Sequence, residues 1–248
     1  MHQLYRHTLT TIAIVCTLLF TACSSDDEEP IVANVEVVVE NTVAGHPLKL
    51  TDTTYTSPTG DIYAVHELAY FMSNIKLLNA SGEAVYIEPD SYHLIEEQTG
   101  KRTFTLKNVK ADTYTKLQFG VGVDAARNHS TDQYGDLDPS SSMVWDWDTG
   151  YKFFSLVGNY TANTKAGGLV FHIGGDANYK TVTVDLQQPL VIKATEGNRI
   201  TIVTDLNAIF QDPHPIDFDE INTAMTGPDA AKIAENYSTG FFRKVTAE

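Results

Sequence analysis

The chain has 248 residues, of which 42% are hydrophobic and 20% charged, and its formal net charge at neutral pH is −15. A protein with this negative charge is not attracted electrostatically to nucleic acid or to anionic membranes, so binding to either through charge alone is excluded. The two cysteines, Cys16 and Cys23, both lie near the amino terminus, so the sequence predicts no disulfide in the rest of the chain.

The first predicted element is a secretory leader over residues 1–22. Arg6 precedes an apolar run from Ile12 to Phe20, and small residues lead to Cys23. The tetrapeptide ending at Cys23 resembles a lipobox, which predicts that this cysteine carries a lipid. A plain cleaved signal is the alternative. The acidic residues 23–30 resemble the tether of some Gram-negative lipoproteins, so we expect an outer-membrane lipoprotein, periplasmic or surface-exposed.

Residues 31–248 have the pattern of one domain made of short strands. Val35, Val37 and Val39 alternate with other side chains, which predicts a first strand with one buried face. The nearly continuous apolar run of residues 61–79 fits either a helical turn and a strand or one long strand. The other predicted strands cover Pro47–Leu50, Ala84–Glu88, Ser91–Ile95, Thr103–Lys107, Thr113–Val123, Tyr151–Val157, Gly168–Ile173, Thr181–Leu186, Leu190–Lys193 and Arg199–Asp205.

Roughly ten strands at this spacing are typical of an antiparallel β-sandwich or Greek-key-like domain. Residues 51–61 predict a surface loop, and residues 207–211 a single helical turn. The prolines of residues 213–218 favour an extended segment. Pro228–Tyr237 starts with proline and continues with helix formers, which predicts a short C-terminal helix.

One long segment, residues 119–160, stands out because it combines many aspartates with both tryptophans. A polar segment of this kind is usually disordered, but Met143, Trp145, Trp147 and Tyr151 are costly to leave in water. The sequence therefore predicts an ordered, functional loop on a β scaffold.

No catalytic motif accompanies this loop. The chain lacks the Gly-x-Ser-x-Gly, phosphate-binding, dinucleotide-binding, His-Glu-x-x-His and Cys-x-x-Cys patterns. The many acidic residues leave a carboxylate pair for glycoside hydrolysis open as an alternative. We expect a binding protein rather than an enzyme.

Two metal-binding patterns are present in or near the loop. Asp132, Asp136 and Asp138 offer oxygen ligands at the short spacing that suits calcium. The alternative is that these acids are solvated and that Asp124 pairs with Arg127.

The second pattern is a set of histidines. Strand alternation places His172 on the face opposite Phe171 and Ile173, where neighbouring loops can reach it. His129, in the loop, and His93 could converge with it, and two or three imidazoles suit copper or zinc. The alternative is that each histidine only makes hydrogen bonds.

Four ordered motifs carry a family resemblance, and two shorter ones extend it over nearly the whole domain. Together they resemble the MbnP-like family of exported, copper-associated proteins. The motifs are GVGVDAARN at 120–128, GDLDP at 135–139, MVWDWDTGY at 143–151 and FHIGG at 171–175, with YHLI at 92–95 and AENY at 234–237.

The resemblance implies a β-sandwich-like exported domain that binds copper in some members. In those members a di-haem enzyme related to bacterial peroxidases oxidises a tryptophan to kynurenine near the metal. The matching residues here are Trp145 and Trp147. The better-studied members carry disulfides, which this chain lacks.

These observations predict a lipid-anchored metal-binding accessory protein in copper handling, with His129, His172 and His93 as ligands and Trp145 or Trp147 as the modifiable aromatic residue. Two alternatives stay open. The tryptophans could simply anchor the loop, or the chain could be a non-catalytic surface lipoprotein that binds a glycan, peptide or partner protein through the loop.

Overall fold

The computed structural model describes residues 31–130, 132–145, 150–193 and 197–248. The strands are β1 Val32–Val43, β2 His46–Pro47, β3 Thr54–Thr56, β4 Ile62–Leu78, β5 Ala84–Ile87, β6 Tyr92–Glu96, β7 Thr103–Lys110, β8 Thr113–Val121, β9 Lys152–Thr161, β10 Ala166–Gly174, β11 Lys180–Val191, β12 Arg199–Asp205, β13 Thr223–Ala224 and β14 Phe242–Ala247. The α-helices are α1 Ala125–Asn128 and α2 Gly227–Asn236. Single turns of 3₁₀-helix cover Gly135–Leu137, Asp176–Asn178 and Leu206–Phe210, and a π-helical turn covers Tyr237–Phe241.

These strands form two sheets. The smaller runs β14-β12-β1-β2, with β7 also paired to β1, and the larger runs β11-β8-β4-β9-β10-β13, with β3, β5 and β6 also paired to β4. Most neighbours are antiparallel, but β1 pairs with β12 and β10 with β13 in parallel. The all-β prediction is confirmed, with mixed rather than purely antiparallel sheets.

The central strand of the larger sheet is β4. Of the two structures that residues 61–79 allowed, the single long strand is the one that forms. Tyr70 and Met72 lie in the main core, whereas Ala69 and Phe71 lie in a second cluster on the opposite face. A strand covered on both faces needs apolar residues at nearly every position, which explains the continuous run.

The main core lies between the sheets and continues beneath the C-terminal segment. Val35, Val37 and Val39 are buried there, as their alternation predicted. Tyr237 stacks on Phe154 with ring centroids 5.7 Å apart. The end of the chain therefore contributes to the core.

Several strand predictions need correction. The strand predicted over Pro47–Leu50 is only the two-residue β2, which ends at Pro47. Residues 51–61 contain β3, and the predicted strands on either side of residues 187–189 are one strand, β11, with a register shift between Asp185 and Leu190. The sequence pattern missed β14, because a register shift beside Phe242 puts exposed Arg243 and Lys244 next to each other and breaks the alternation. The predicted C-terminal helix is confirmed as α2.

Several predictions lie outside the described residues. These are the leader, the tether, the lipid at Cys23 and the role of Trp147. Over the part of the chain that is described, the helices are too short and too polar to cross a membrane.

Candidate metal and aromatic site

The long loop folds onto the outer face of the larger sheet and makes a second hydrophobic core there. This second core consists of Ala69, Phe71, Leu94, Val123, Leu137, Met143, Tyr151 and Phe153. Phe71 and Tyr151 meet edge to face at 5.6 Å. The loop is therefore ordered over its described residues, as the cost of exposing its apolar side chains predicted.

Asp124 joins the start of the loop to the sheet. Its carboxylate accepts hydrogen bonds from the Tyr92 hydroxyl, from Asn74 Nδ2 at 3.0 Å and from the backbone N–H of Ala126 at 3.2 Å, where it caps α1. Burial disfavours the charged carboxylate, but these hydrogen bonds outweigh it and lower the pKa of Asp124. An ionised Asp124 thus stabilises the loop.

Asn128, at the end of α1, holds the far end of the loop. Its Oδ1 accepts the backbone N–H of Tyr151 at 2.9 Å, and its Nδ2 donates to Asp176 Oδ1 at 2.8 Å. The neighbouring Gly150 has φ +131°, a value that disfavours any residue with a Cβ. The two ends of the loop are therefore tied to each other and to the end of β10.

Trp145 lies where the loop meets β10. Its backbone N–H donates to the Gly150 carbonyl at 3.1 Å, and the residue is 8% exposed. A Cβ on Gly174 would stand 2.8 Å from Trp145 Cζ2, so only glycine allows this approach. The indole centroid is 6.3 Å from the His172 ring, and Lys152 Nζ is 5.7 Å from the indole centroid.

His172 occupies the face of β10 that the alternation predicted. Phe171 and Ile173 are fully buried in the main core, and His172 is half-buried on the other face beside Trp145. Burial, and then the positive charge of Lys152, lower the pKa of His172. The imidazole is therefore neutral at neutral pH, which is the form that binds a metal.

His129 follows α1 and reaches the segment just after β10. Its Nε2 lies 3.1 and 3.0 Å from the two carboxylate oxygens of Asp176, four residues beyond His172. Burial disfavours the charged form of Asp176, but the hydrogen bonds from Asn128 and His129 outweigh this effect and lower the pKa of Asp176. His129 and His172 thus lie toward the same end of β10.

His93 does not join these two residues. Tyr92 and Leu94 pack with the second core, so His93 points to the other face of β6, where it stacks on Phe104 at 3.9 Å. Its Nε2 lies 2.8 Å from Glu88 Oε2. Among the described residues, no three His, Cys, Asp or Glu side chains form a group that could hold a metal ion. The predicted convergence of three histidines is therefore wrong.

The three candidate calcium ligands have separate surroundings. Asp136 accepts the Leu94 backbone N–H at 2.7 Å and pairs with Lys101, which fastens the loop to β6. Asp138 accepts hydrogen bonds within its own turn, which lower its pKa, and Asp132 is exposed. These contacts fit the structural interpretation better than a calcium site.

Arg127 has a different partner from the predicted one. It pairs with Asp90 at 2.9 Å and lies over the Tyr92 ring, whereas Asp124 caps α1. A pocket of about 100 Å³ is lined by Asp90, Tyr92, Arg127 and Tyr134, of which Tyr134 is 67% exposed.

The sequence pattern missed Lys152, Asn128 and Asp176. Asp176 directly follows the FHIGG motif and Asn128 ends the GVGVDAARN motif, so both carried a signal in their position. Lys152 directly follows the MVWDWDTGY motif, but the pattern did not show that the chain folds back between residues 143 and 152 and places its ammonium over Trp145.

The sequence model of the MbnP family matches residues 32–226. The chain belongs to the MbnP family. The match includes every residue of the candidate site, so the family sequence pattern and the site geometry cover the same part of the chain.

A solved structure of MbnP from Methylosinus trichosporium is similar to this chain. The TM-score is 0.55 at 16% sequence identity, and the match covers 81% of this chain and 86% of the other. At this identity the likeness shows that the two proteins share the MbnP fold. No curated protein sequence matches the chain.

Proposed function

We propose that this chain is an exported, non-catalytic copper-binding accessory protein, anchored to the outer membrane by a lipid on Cys23. Membership of a copper-associated family supports the copper-related role. The leader and the lipobox-like tetrapeptide support export and anchoring.

The observation that carries the proposal is the position of His172 beside Trp145. A neutral imidazole against an indole, with a second imidazole near the same end of β10, fits copper better than calcium, because imidazole nitrogen is a softer donor than oxygen. His172 and His129 would hold the ion. Bound copper would supply redox chemistry at this site.

A di-haem, peroxidase-like partner is part of the proposal. It would oxidise Trp145 or Trp147, and the resulting kynurenine would add an aryl amine and a carbonyl near the imidazoles. The position of Trp145 against His172 and Gly174 supports Trp145 as the modified residue. A kynurenine-sized mass change in native protein, mapped to one tryptophan, would identify it.

Metal titration tests the proposal. We expect the chain without residues 1–23 to bind Cu(I) or Cu(II), and the His172→Ala, His129→Ala double variant to lose at least tenfold in affinity, because each imidazole supplies a bond to the ion. His46→Ala is the matched control, since His46 is exposed on β2 of the other sheet. Equal affinity of the double variant and the parent chain would contradict the proposed site.

One observation favours a second role, recognition of a glycan, peptide or partner protein. Exposed Tyr134 beside the Arg127–Asp90 pair offers an aromatic face and charged groups at one small pocket. A chain that lacked copper affinity, but whose ligand binding depended on Tyr134, would support this role instead.

A further inference from the structure

Lys152 is held directly over the indole of Trp145. Its Nζ donates to the Ser142 carbonyl at 2.9 Å and lies 5.7 Å from the indole centroid. Its backbone N–H also donates to the Met143 carbonyl at 2.6 Å. Both the backbone and the side chain of Lys152 are therefore fixed to the segment that carries Trp145.

The position of Lys152 matters for electron removal from Trp145. A cation over the face of an indole is attracted to the electron density of the ring. Loss of one electron turns the ring into a cation, so the attraction becomes repulsion between two like charges. Trp145 is also only 8% exposed, so water screens this repulsion weakly.

We propose that the Lys152 ammonium keeps Trp145 in its reduced state. In the step it opposes, one electron passes from the indole to a one-electron oxidant, which is reduced, and the ring is left as a radical cation. Oxidation of Trp145 would therefore need a strong oxidant, or a partner that engages Lys152 and removes its charge from the ring. This inference does not require copper, so its test uses metal-free protein.

The test compares Lys152→Met, which removes the charge at similar length, with Lys152→Arg, which keeps it. Each protein is treated with hexachloroiridate(IV), and oxidation is assigned to single residues by peptide mass spectrometry with fragmentation. We expect Trp145 to be oxidised about tenfold faster in Lys152→Met, from the repulsion of two unit charges at this distance, and at the parent rate in Lys152→Arg. Oxidation of exposed Tyr134 serves as the reference for oxidant dose.

Hydrogen exchange of the Trp145 amide separates an electrostatic role from a structural one, because that amide donates to Gly150. Faster oxidation with unchanged exchange supports the proposal. Equal oxidation in all three proteins, or a rise in exchange parallel to the rise in oxidation, overturns it. Lys152→Gln provides a second neutral variant if Lys152→Met does not fold.

Discussion

At the scale of single residues, the loop is fixed by polar groups whose partners are far apart in the sequence. Asp124 connects Asn74 and Tyr92 of the sheet to the first turn of α1. Asn128 connects the loop end to Asp176. Few other side chains could replace these two. Asp124 accepts hydrogen bonds with both carboxylate oxygens, and Asn128 accepts one with Oδ1 and donates one with Nδ2.

Asp124→Ala is expected to lower the free energy of unfolding by roughly 1–3 kcal/mol, because it removes a helix cap and leaves Tyr92 and Asn74 without their acceptor. Hydrogen bonds lower the pKa of Asp124 in spite of its burial, so its contribution is fully present above the unfolded pKa of about 3.9 and is lost as the pH falls through the lower folded value. Denaturant titration should therefore show the difference from the parent chain shrinking below about pH 4.

The control for this prediction is Asp132→Ala, which changes an exposed acid in the same loop. We expect it to stay within about 0.5 kcal/mol of the parent chain at neutral pH. A loss at Asp132 as large as that at Asp124 would mean that the hydrogen bonds of Asp124 do not stabilise the fold.

At the scale of elements, the loop acts as a third layer on the sheet. Met143, Leu137 and Val123 are buried against Phe71 and Phe153 of β4 and β9. This layer positions Trp145 and Lys152 against the end of β10. The site geometry therefore depends on the packing of the second core.

Met143→Ala is expected to cost roughly 2–5 kcal/mol, because Met143 is fully buried in the second core and its truncation leaves a cavity. The loop should also become more sensitive to limited proteolysis near residues 132–145. Met225→Ala is the matched control, since Met225 is 38% exposed, and it should change stability by about 0.5 kcal/mol or less. A similar loss in both variants would argue against a separate core beneath the loop.

At the scale of the whole molecule, the C-terminal segment completes the core. Tyr237, Phe241 and Val245 are buried, and β14 pairs with β12 along the edge of the smaller sheet. The family match ends at residue 226, before these residues. The domain therefore uses buried residues beyond the matched part of the chain.

A chain that ends at Thr226 is expected not to fold, because it loses α2, β14 and the aromatic residues that cover Phe154 and Tyr70. The absence of a cooperative thermal transition in circular dichroism would show this. Lys244→Ala, an exposed change on β14, should keep the transition of the parent chain. Cooperative unfolding of the truncated chain would show that the C-terminal segment is dispensable.

The strand pattern was largely predictable from the sequence because alternation and turn residues act over a few neighbouring positions. This local information gave the buried face of β1, the outward position of His172 and the helix α2. The order of the loop was also predictable, because the cost of exposing its aromatic and apolar side chains is large whatever they pack against.

Contacts between distant segments could not be predicted in this way. Strand pairing and register placed His93 on the face away from the loop, and they brought Lys152 and His172 to the same indole. The sequence by itself determined the elements, the ordered loop and the family resemblance. Only the tertiary structure decided which side chains meet. A contact between residues far apart in the chain depends on strand register and packing, and the alternation of residues within one strand does not determine either.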